Sequence, residues 1–266
     1  MSTHAIVLRT AGTNCEHETK LALECGGASA ELLHLHKLCA EPARLDAARI
    51  LVLPGGFSYG DDIAAGRVLG HGLRTFLGRE LSAFVARGGF VLGVCNGFQA
   101  LVDTGLLEGL DADGRPKGGE RRSIALSANE SGHYECRWVT LRNEPSKCAW
   151  LEAGTLWPVP VAHGEGRLVF KDDATLERLR RNGQVALRYV TIDGGQARYP
   201  ALPNGSTDAI AGLCDATGRV LGLMPHPERN LSPWNHPRWT RMGPRAAGEG
   251  LEFYRRLVEA AGSAAR

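Results

Sequence analysis

Short, almost wholly apolar runs bordered by glycine constrain the fold of this chain more than any other feature. The segment Arg49–Gly56 reads RILVLPGG, and Gly88–Cys95 reads GGFVLGVC. Because apolar runs without polar alternation are typical of strands covered on both faces, each predicts a buried parallel strand. Helical patterns at Arg67–Arg87 and from Asn96 onward alternate with these runs. The sequence therefore predicts an α/β fold, with one domain over residues 1–266 and a mostly parallel central sheet flanked by helices.

Other segments extend this pattern. Strands are predicted at His4–Arg9 and, after a helix at Glu16–Cys25 closed by two glycines, at Ser29–His36. The apolar runs of Ile210–Glu228 are separated by a turn, which predicts a hairpin. Between these regions, Gly109–Glu120 is rich in Gly and Asp and predicts a loop.

The composition narrows the class of protein. The chain has 266 residues, 31 basic and 29 acidic side chains, and seven cysteines without a CxxC pairing. The balanced charge gives no support for nucleic acid or an anionic membrane as a partner. No apolar run approaches the roughly 18 residues of a membrane helix, and the N-terminal residues lack the apolar core of a secretion signal. Reduced thiols in the cytoplasm are therefore expected rather than disulfides.

The segment Gly93-Val94-Cys95-Asn96-Gly97 has the pattern of a nucleophile elbow with cysteine in place of serine. A sharp strand-to-helix turn would expose the sulfur at a helix N-terminus, where the helix dipole favours a thiolate. Side chains at Gly93 and Gly97 would collide with neighbouring backbone, and the N–H of Asn96 would donate to an oxyanion. The competing interpretation is a buried structural cysteine, because the pattern is short and the chain has 34 glycines.

A thiol nucleophile needs a base, and the segment MPHPER offers one. Pro225 and Pro227 favour extended conformations in the residues before them. Because alternate side chains of an extended segment point the same way, His226 and Glu228 should lie side by side, with the carboxylate fixing the imidazole tautomer. The competing interpretation is a proline-rich surface turn with a solvated histidine.

Two further segments carry candidate site residues. In LPGGFSYGDD, the Gly55-Gly56 turn would present backbone N–H groups to a small ligand, and Gly56 would supply a second oxyanion donor. Phosphate-binding glycine motifs are absent from the sequence, and an ordinary tight turn is the alternative.

His163 in AHGEGR is either a site residue or a structural histidine. Cys15 lies near other potential ligands in GTNCEHE, but the spacing does not fit a structural zinc site, so no metal site is predicted.

These motifs together resemble the class I, triad-type glutamine amidotransferases, and within them a subfamily of purine biosynthesis. The resemblance covers residues 5–260 and rests on these segments: GTNCE, LPGGFSYGDD, GVCNGFQALVDTGLL, PVAHGEGR, YPALPNGSTDAIAG and GLMPHPER. It implies a flavodoxin-like fold and a glutaminase that releases ammonia from L-glutamine.

The resemblance also implies roles for individual residues. Cys95 would be the nucleophile, His226 the general base and acid, and Glu228 the carboxylate that orients it. The oxyanion donors would be Gly56 and Asn96, and the residues lining the glutamine pocket would be Gly55, Gln99, His163 and Gly164. No cofactor is expected in this chain. ATP and Mg are expected on a partner synthase subunit that receives the ammonia, and a small bridging subunit is a further candidate partner.

The chain departs from the family pattern in three places. Ala11-Gly12 stands where Pro-Gly is usual, Leu202 stands where Asn is common, and the segment 230–250 is longer than in compact members. These changes lie away from the three triad positions. Two other functions remain as alternatives: a cysteine hydrolase or peptidase on the same scaffold, and a non-catalytic module in which Cys95 senses redox state.

Overall fold

The computed structural model describes residues 3–109, 122–148 and 150–263. The strands there are β1 (His4–Arg9), β2 (Ser29–His34), β3 (Ile50–Leu53), β4 (Phe90–Val94), β5 (Ile124–Ser127), β6 (Glu135–Asn143), β7 (Leu156–His163), β8 (Arg167–Phe170), β9 (Val185–Val190), β10 (Ile210–Cys214) and β11 (Val220–Leu223). The α-helices are α1 (Glu16–Cys25), α2 (Leu35–Ala40), α3 (Arg44–Ala47), α4 (Arg67–Ala86), α5 (Asn96–Thr104), α6 (Asp173–Arg181) and α7 (Glu249–Ser263).

A nine-stranded sheet with the order β2-β1-β3-β4-β11-β10-β9-β6-β7 forms the centre of the fold. Its first five strands are mutually parallel, and the residues of β3, β4 and β11 are all buried. Helices on both faces account for this burial, because right-handed crossovers place α1 and α4 on opposite sides of the sheet. The predicted α/β class is confirmed, and the order of the parallel strands matches the doubly wound flavodoxin type.

The other half of the sheet is antiparallel and bends back toward the parallel half. The hairpin of β10 and β11 has the predicted turn, where Asp215 Oδ1 accepts from the N–H groups of Arg219 and Val220 at 3.1 and 3.0 Å. At the far end of the sheet, β7 returns to the carboxyl edge of the parallel strands: the N–H of His226 donates to the carbonyl of Pro160 at 2.9 Å. The antiparallel half therefore forms one wall over that edge.

Some predicted boundaries differ from the structure. The second strand ends at His34 rather than His36, because Leu35 begins helix α2 and the His34 ring accepts from the N–H of His36 at 3.2 Å. The predicted loop at Gly109–Glu120 lies outside the described residues beyond Gly109. Within the described ranges, no helix combines the length and apolar character needed to span a membrane.

Candidate active site

Cys95 occupies a strained turn between β4 and α5. Its backbone has φ 51° and ψ −108°, a conformation that is costly for a residue with a side chain. The turn is held because the N–H of Cys95 donates to the carbonyl of Leu223 at 2.8 Å, while the Cys95 carbonyl accepts from Phe98 and Gln99 in the first turn of α5. The sulfur therefore lies at the N-terminus of a buried helix, as the elbow pattern predicts.

The two glycines of the elbow are required by close backbone contacts. A Cβ at Gly97 would lie 1.8 Å from the carbonyl oxygen of Leu53, and a Cβ at Gly93 would lie 2.7 Å from the carbonyl oxygen of Gly97. No side chain fits such distances, so helix α5 can approach β3 and β4 only with glycine at both positions. The packing therefore shows the backbone collisions that the sequence predicts for side chains at both positions.

His226 and Glu228 follow β11 and form a buried pair. The Nδ1 of His226 lies 2.6 Å from Oε1 of Glu228, and the two side chains are 2% and 0% exposed. Because the carboxylate only accepts, Nδ1 carries the proton and Nε2 is the free basic atom. Nε2 is buried and makes no hydrogen bond in the described part of the chain.

The thiol and the imidazole meet because they follow adjacent parallel strands. In the register of β4 and β11, Val94 pairs with Leu223, so Cys95 and His226 both leave the sheet at its carboxyl edge. The Cys95 thiol points to the carbonyl of Ala162 in β7, with a distance of 3.6 Å from Sγ to the oxygen. The sulfur lies close enough to the His226 ring to act on its charge, as proton transfer between the two groups requires.

The electrostatics of the site favour a basic imidazole. Burial disfavours the charged ring, but the Glu228 carboxylate and the adjacent Cys95 sulfur outweigh it and hold the pKa of His226 well above its usual value. A strongly basic Nε2 beside the thiol favours transfer of the thiol proton to the ring. The arrangement can therefore generate a thiolate nucleophile and later return a proton to a leaving group.

The Gly55-Gly56 turn follows β3 on the other side of β4. A Cβ at Gly55 would lie 2.7 Å from Cε1 of His226, so glycine there lets the imidazole occupy its place. Gly56 has φ 144°, a conformation open to glycine, and a Cβ there would meet the backbone of Asn14 at 2.7 Å. Among the described residues, neither the N–H of Gly56 nor that of Asn96 donates to a protein group. Both N–H groups border the carboxyl edge where Cys95 lies, in keeping with the predicted oxyanion site.

The side chains of Asn96 and Gln99 belong to a polar network that supports this loop. Asn96 accepts from the N–H of Ser58 and donates to Asp61 Oδ1 and Gln99 Oε1, each at 3.0 Å. Gln99 Nε2 donates to the carbonyl of Glu165 at 2.5 Å. Both amides are thus engaged within the protein, and Gln99 links helix α5 to the segment after β7 rather than presenting a free amide.

His163 and Gly164 lie at the end of β7, next to this network. His163 Nδ1 and the N–H of Gly166 both approach Oδ1 of Asn129, at 3.1 and 3.0 Å, so Nδ1 is the protonated nitrogen of the ring. Burial, and then the charge of His226, lower the pKa of His163 to about 4. The imidazole of His163 is therefore neutral at the edge of the site. Gly164 lies beside the half-exposed ring of Tyr134.

Comparison with known proteins fixes the family. A model of the CobB/CobQ-like glutamine amidotransferase domain matches residues 2–259. The chain belongs to this family. It is 42% identical over 256 residues to phosphoribosylformylglycinamidine synthase subunit PurQ of Dehalococcoides mccartyi, covering 96% of each chain, and 43% identical over 265 residues to that of Archaeoglobus fulgidus, covering 95% of each. A chain in the structure of PurLQS from Thermotoga maritima is 31% identical, with a TM-score of 0.70 and coverage of 97% of this chain and 99% of that one.

Membership of the glutamine amidotransferase family confirms the resemblance drawn from the motifs. The solved relative also confirms the fold class, with the parallel strands and flanking helices expected of this family.

The candidate site also contains a residue to which the sequence assigned no role. Cys15, at the start of α1, is 1% exposed, and its Sγ lies 4.0 Å from Nδ1 of His226. Arg229 Nη2 contacts the same sulfur at 3.1 Å, and burial raises the pKa of the Cys15 thiol. Its proximity to His226 was not visible in the sequence, because the two positions lie far apart along the chain.

Cys15, His226 and Glu228 together offer donors of the kind that zinc prefers, within 4.8 Å of one another. The guanidinium of Arg229 contacts the sulfur, however, where a cation would have to bind. The Glu228 carboxylate is also engaged by the imidazole. We therefore interpret the cluster as packing around the imidazole. The exposed His17 beside Cys15 does not take part in it.

Proposed function

We propose that this amidotransferase is the glutaminase component of a phosphoribosylformylglycinamidine synthase. It hydrolyses L-glutamine to L-glutamate and ammonia and delivers the ammonia to a synthase subunit. That subunit uses ATP and Mg to aminate formylglycinamide ribonucleotide in the cytoplasm. The family and the relatives' names support the glutaminase activity and the synthase partner. The observation that carries the chemistry is the buried His226–Glu228 pair beside Cys95 in its strained turn.

The first half of the reaction forms a thioester. His226 Nε2 takes the thiol proton as Cys95 Sγ attacks the side-chain carbonyl of glutamine. The N–H groups of Gly56 and Asn96 stabilise the resulting oxyanion. Collapse of the tetrahedral intermediate breaks the C–N bond, and His226 returns its proton to the nitrogen that leaves as ammonia.

The second half regenerates the enzyme. His226 removes a proton from water, the hydroxide attacks the thioester carbonyl, and the C–S bond breaks. Protonation of the departing Cys95 sulfur by His226 restores the starting state and releases glutamate. Throughout, Glu228 keeps the proton of Nδ1 in place, so that Nε2 remains the atom that exchanges protons.

The glutamine pocket is proposed to lie between the Gly55-Gly56 turn and the end of β7. Gly55, His163 and Gly164 would line it, and Gln99 would hold its walls together through the carbonyl of Glu165. A small bridging subunit is a further proposed partner of the complex.

The test compares two nitrogen sources in the assembled synthase. Cys95→Ser should abolish glutamine-dependent amination and leave ammonia-dependent amination unchanged, because the partner subunit keeps its own site. Cys25→Ser, which changes an exposed cysteine at the end of α1, should keep both activities. Glutamine-dependent turnover by Cys95→Ser at the wild-type rate would refute the mechanism, and turnover of peptides but not glutamine would favour a peptidase.

A further inference from the structure

Within the described residues, three buried oxygens around the Glu228 carboxylate lack hydrogen bonds of ordinary geometry. They are Oε2 of Glu228, the hydroxyl of Tyr254 and the hydroxyl of Thr19, and the latter two side chains belong to fully buried residues. Buried polar atoms are nearly always paired, and an unpaired carboxylate oxygen is especially costly. The three groups come from different parts of the chain: the turn after β11, helix α7 and helix α1.

The packing of the helices brings these three groups together. Helix α7 packs on both α1 and the Pro227–Arg229 turn. A Cβ at Gly250 would lie 1.9 Å from the carbonyl oxygen of Pro227, so glycine lets α7 lie directly against that turn. Tyr254, one helical turn later, lies on the same face of α7 as Gly250. Its hydroxyl is therefore directed toward the carboxylate of Glu228.

The charge environment of Tyr254 agrees with this placement. Burial and then the negative charge of Glu228 raise the pKa of the phenol well above its usual value, while the Thr19 hydroxyl, which is close enough to donate to the phenol oxygen, acts in the opposite direction. The signs are those expected when the phenol donates to the carboxylate and accepts from the threonine hydroxyl.

We propose that Tyr254 is a positioning residue of the glutaminase site, whose hydroxyl donates to Oε2 of Glu228 and receives a hydrogen bond from Thr19. Oε1 then stays directed at Nδ1 of His226. One hydrogen bond on each carboxylate oxygen fixes the plane of the carboxylate and spreads its charge. The imidazole is consequently basic enough to take the Cys95 proton and acidic enough to release it to ammonia.

The test is Tyr254→Phe, which removes only the hydroxyl. The inference rests on the proposed glutaminase activity, so kcat for glutamine and the pH profile are measured in the assembled synthase. We expect kcat to fall about tenfold, as for loss of one hydrogen bond to a charged group, with little change in KM. The acid limb of the kcat/KM profile should move to higher pH, because a Glu228 carboxylate that lacks the Tyr254 hydrogen bond attracts the His226 proton more strongly.

Two further variants separate positioning from stability. Phe84→Leu truncates another fully buried aromatic side chain, in helix α4, and should lower stability without moving the pH profile. In a Glu228→Gln background, Tyr254→Phe should have no additional effect on kcat. Thr19→Val should shift the profile in the same direction as Tyr254→Phe but less.

A readout without catalysis uses the Cys95→Ser protein. The resonance of the His226 Nδ1 proton should shift in Tyr254→Phe and stay unchanged in Phe84→Leu. An unchanged acid limb and resonance in Tyr254→Phe would overturn the inference, as would an equal loss of kcat in the Glu228→Gln background. Failure of the glutaminase proposal is a separate result, seen as glutamine-dependent turnover by Cys95→Ser.

Discussion

At the residue scale, two buried thiols flank one imidazole, each at the start of a helix, but they differ in backbone conformation and in the base beside them. Cys95 lies in a strained turn at a helix N-terminus, next to a base whose Nε2 is free. Cys15 lies on the Nδ1 side of the ring, and burial raises the pKa of its thiol. The sequence pointed to Cys95 through local glycine spacing. Nothing local marked Cys15, because its contact with His226 depends on how two distant loops pack.

This difference predicts selective labelling. An electrophilic glutamine analogue should modify Cys95 alone, since that sulfur has the free Nε2 of His226 beside it and borders the proposed glutamine pocket. Peptide mapping by mass spectrometry after partial inactivation would locate the label, and excess L-glutamine should slow it. The exposed Cys25 and Cys136 serve as internal controls for non-specific alkylation. A label on Cys15 that tracks the loss of activity would contradict the assignment.

At the element scale, the sequence predicts the parallel strands and the elbow well and predicts the walls of the site poorly. Strands such as β3 and β4 are short apolar runs whose pattern is local. The position of β7 depends instead on the curvature of the antiparallel half, which brings Ala162 to the Cys95 thiol. Curvature of this kind is a sum of twists along many strands and leaves no signature in a single segment.

Helix α7 fits against the Pro227–Arg229 turn without room for a side chain at Gly250. Gly250→Ala should lower the free energy of unfolding by about 1–3 kcal/mol, because the new methyl group must displace the helix or the turn. Glutaminase kcat should fall as well, since that turn carries Glu228. Urea unfolding monitored by circular dichroism measures the first effect, and glutamine turnover measures the second.

The matched control is Gly78→Ala within helix α4, where a Cβ would meet no atom of the described residues within 4 Å. This change should raise the free energy of unfolding by about 0.5–1 kcal/mol through helix propensity and leave turnover unchanged. If both variants behaved alike, steric contact at Gly250 would not explain the packing of α7.

At the scale of the whole molecule, the site depends on a sheet whose two halves have different roles. The parallel half supplies Cys95, His226 and the Gly55-Gly56 turn from three adjacent strand ends. The antiparallel half covers that edge with β7 and its buried histidine, His163. Covering the edge excludes water from the reacting groups, but it also places an ionisable ring where it can be charged only at a cost in stability.

This cost makes stability depend on pH in a defined window. In the folded protein the pKa of His163 is about 4, whereas in the unfolded chain it is the ordinary 6.5. As the pH falls through 6.5, the unfolded chain gains a proton that the folded protein does not, so folding stability decreases until the pH reaches about 4. At 1.36 kcal/mol per pKa unit, His163 accounts for a loss of about 3 kcal/mol across the window.

In His163→Gln this loss should disappear, so its urea-derived free energy of unfolding should fall less steeply than that of the wild type as pH is lowered. Substituting the exposed His17 by Gln should leave the wild-type slope unchanged. Equal slopes for His163→Gln and the wild type would mean that His163 is protonated in the folded state, and that the wall of the site is more open to water than its burial indicates.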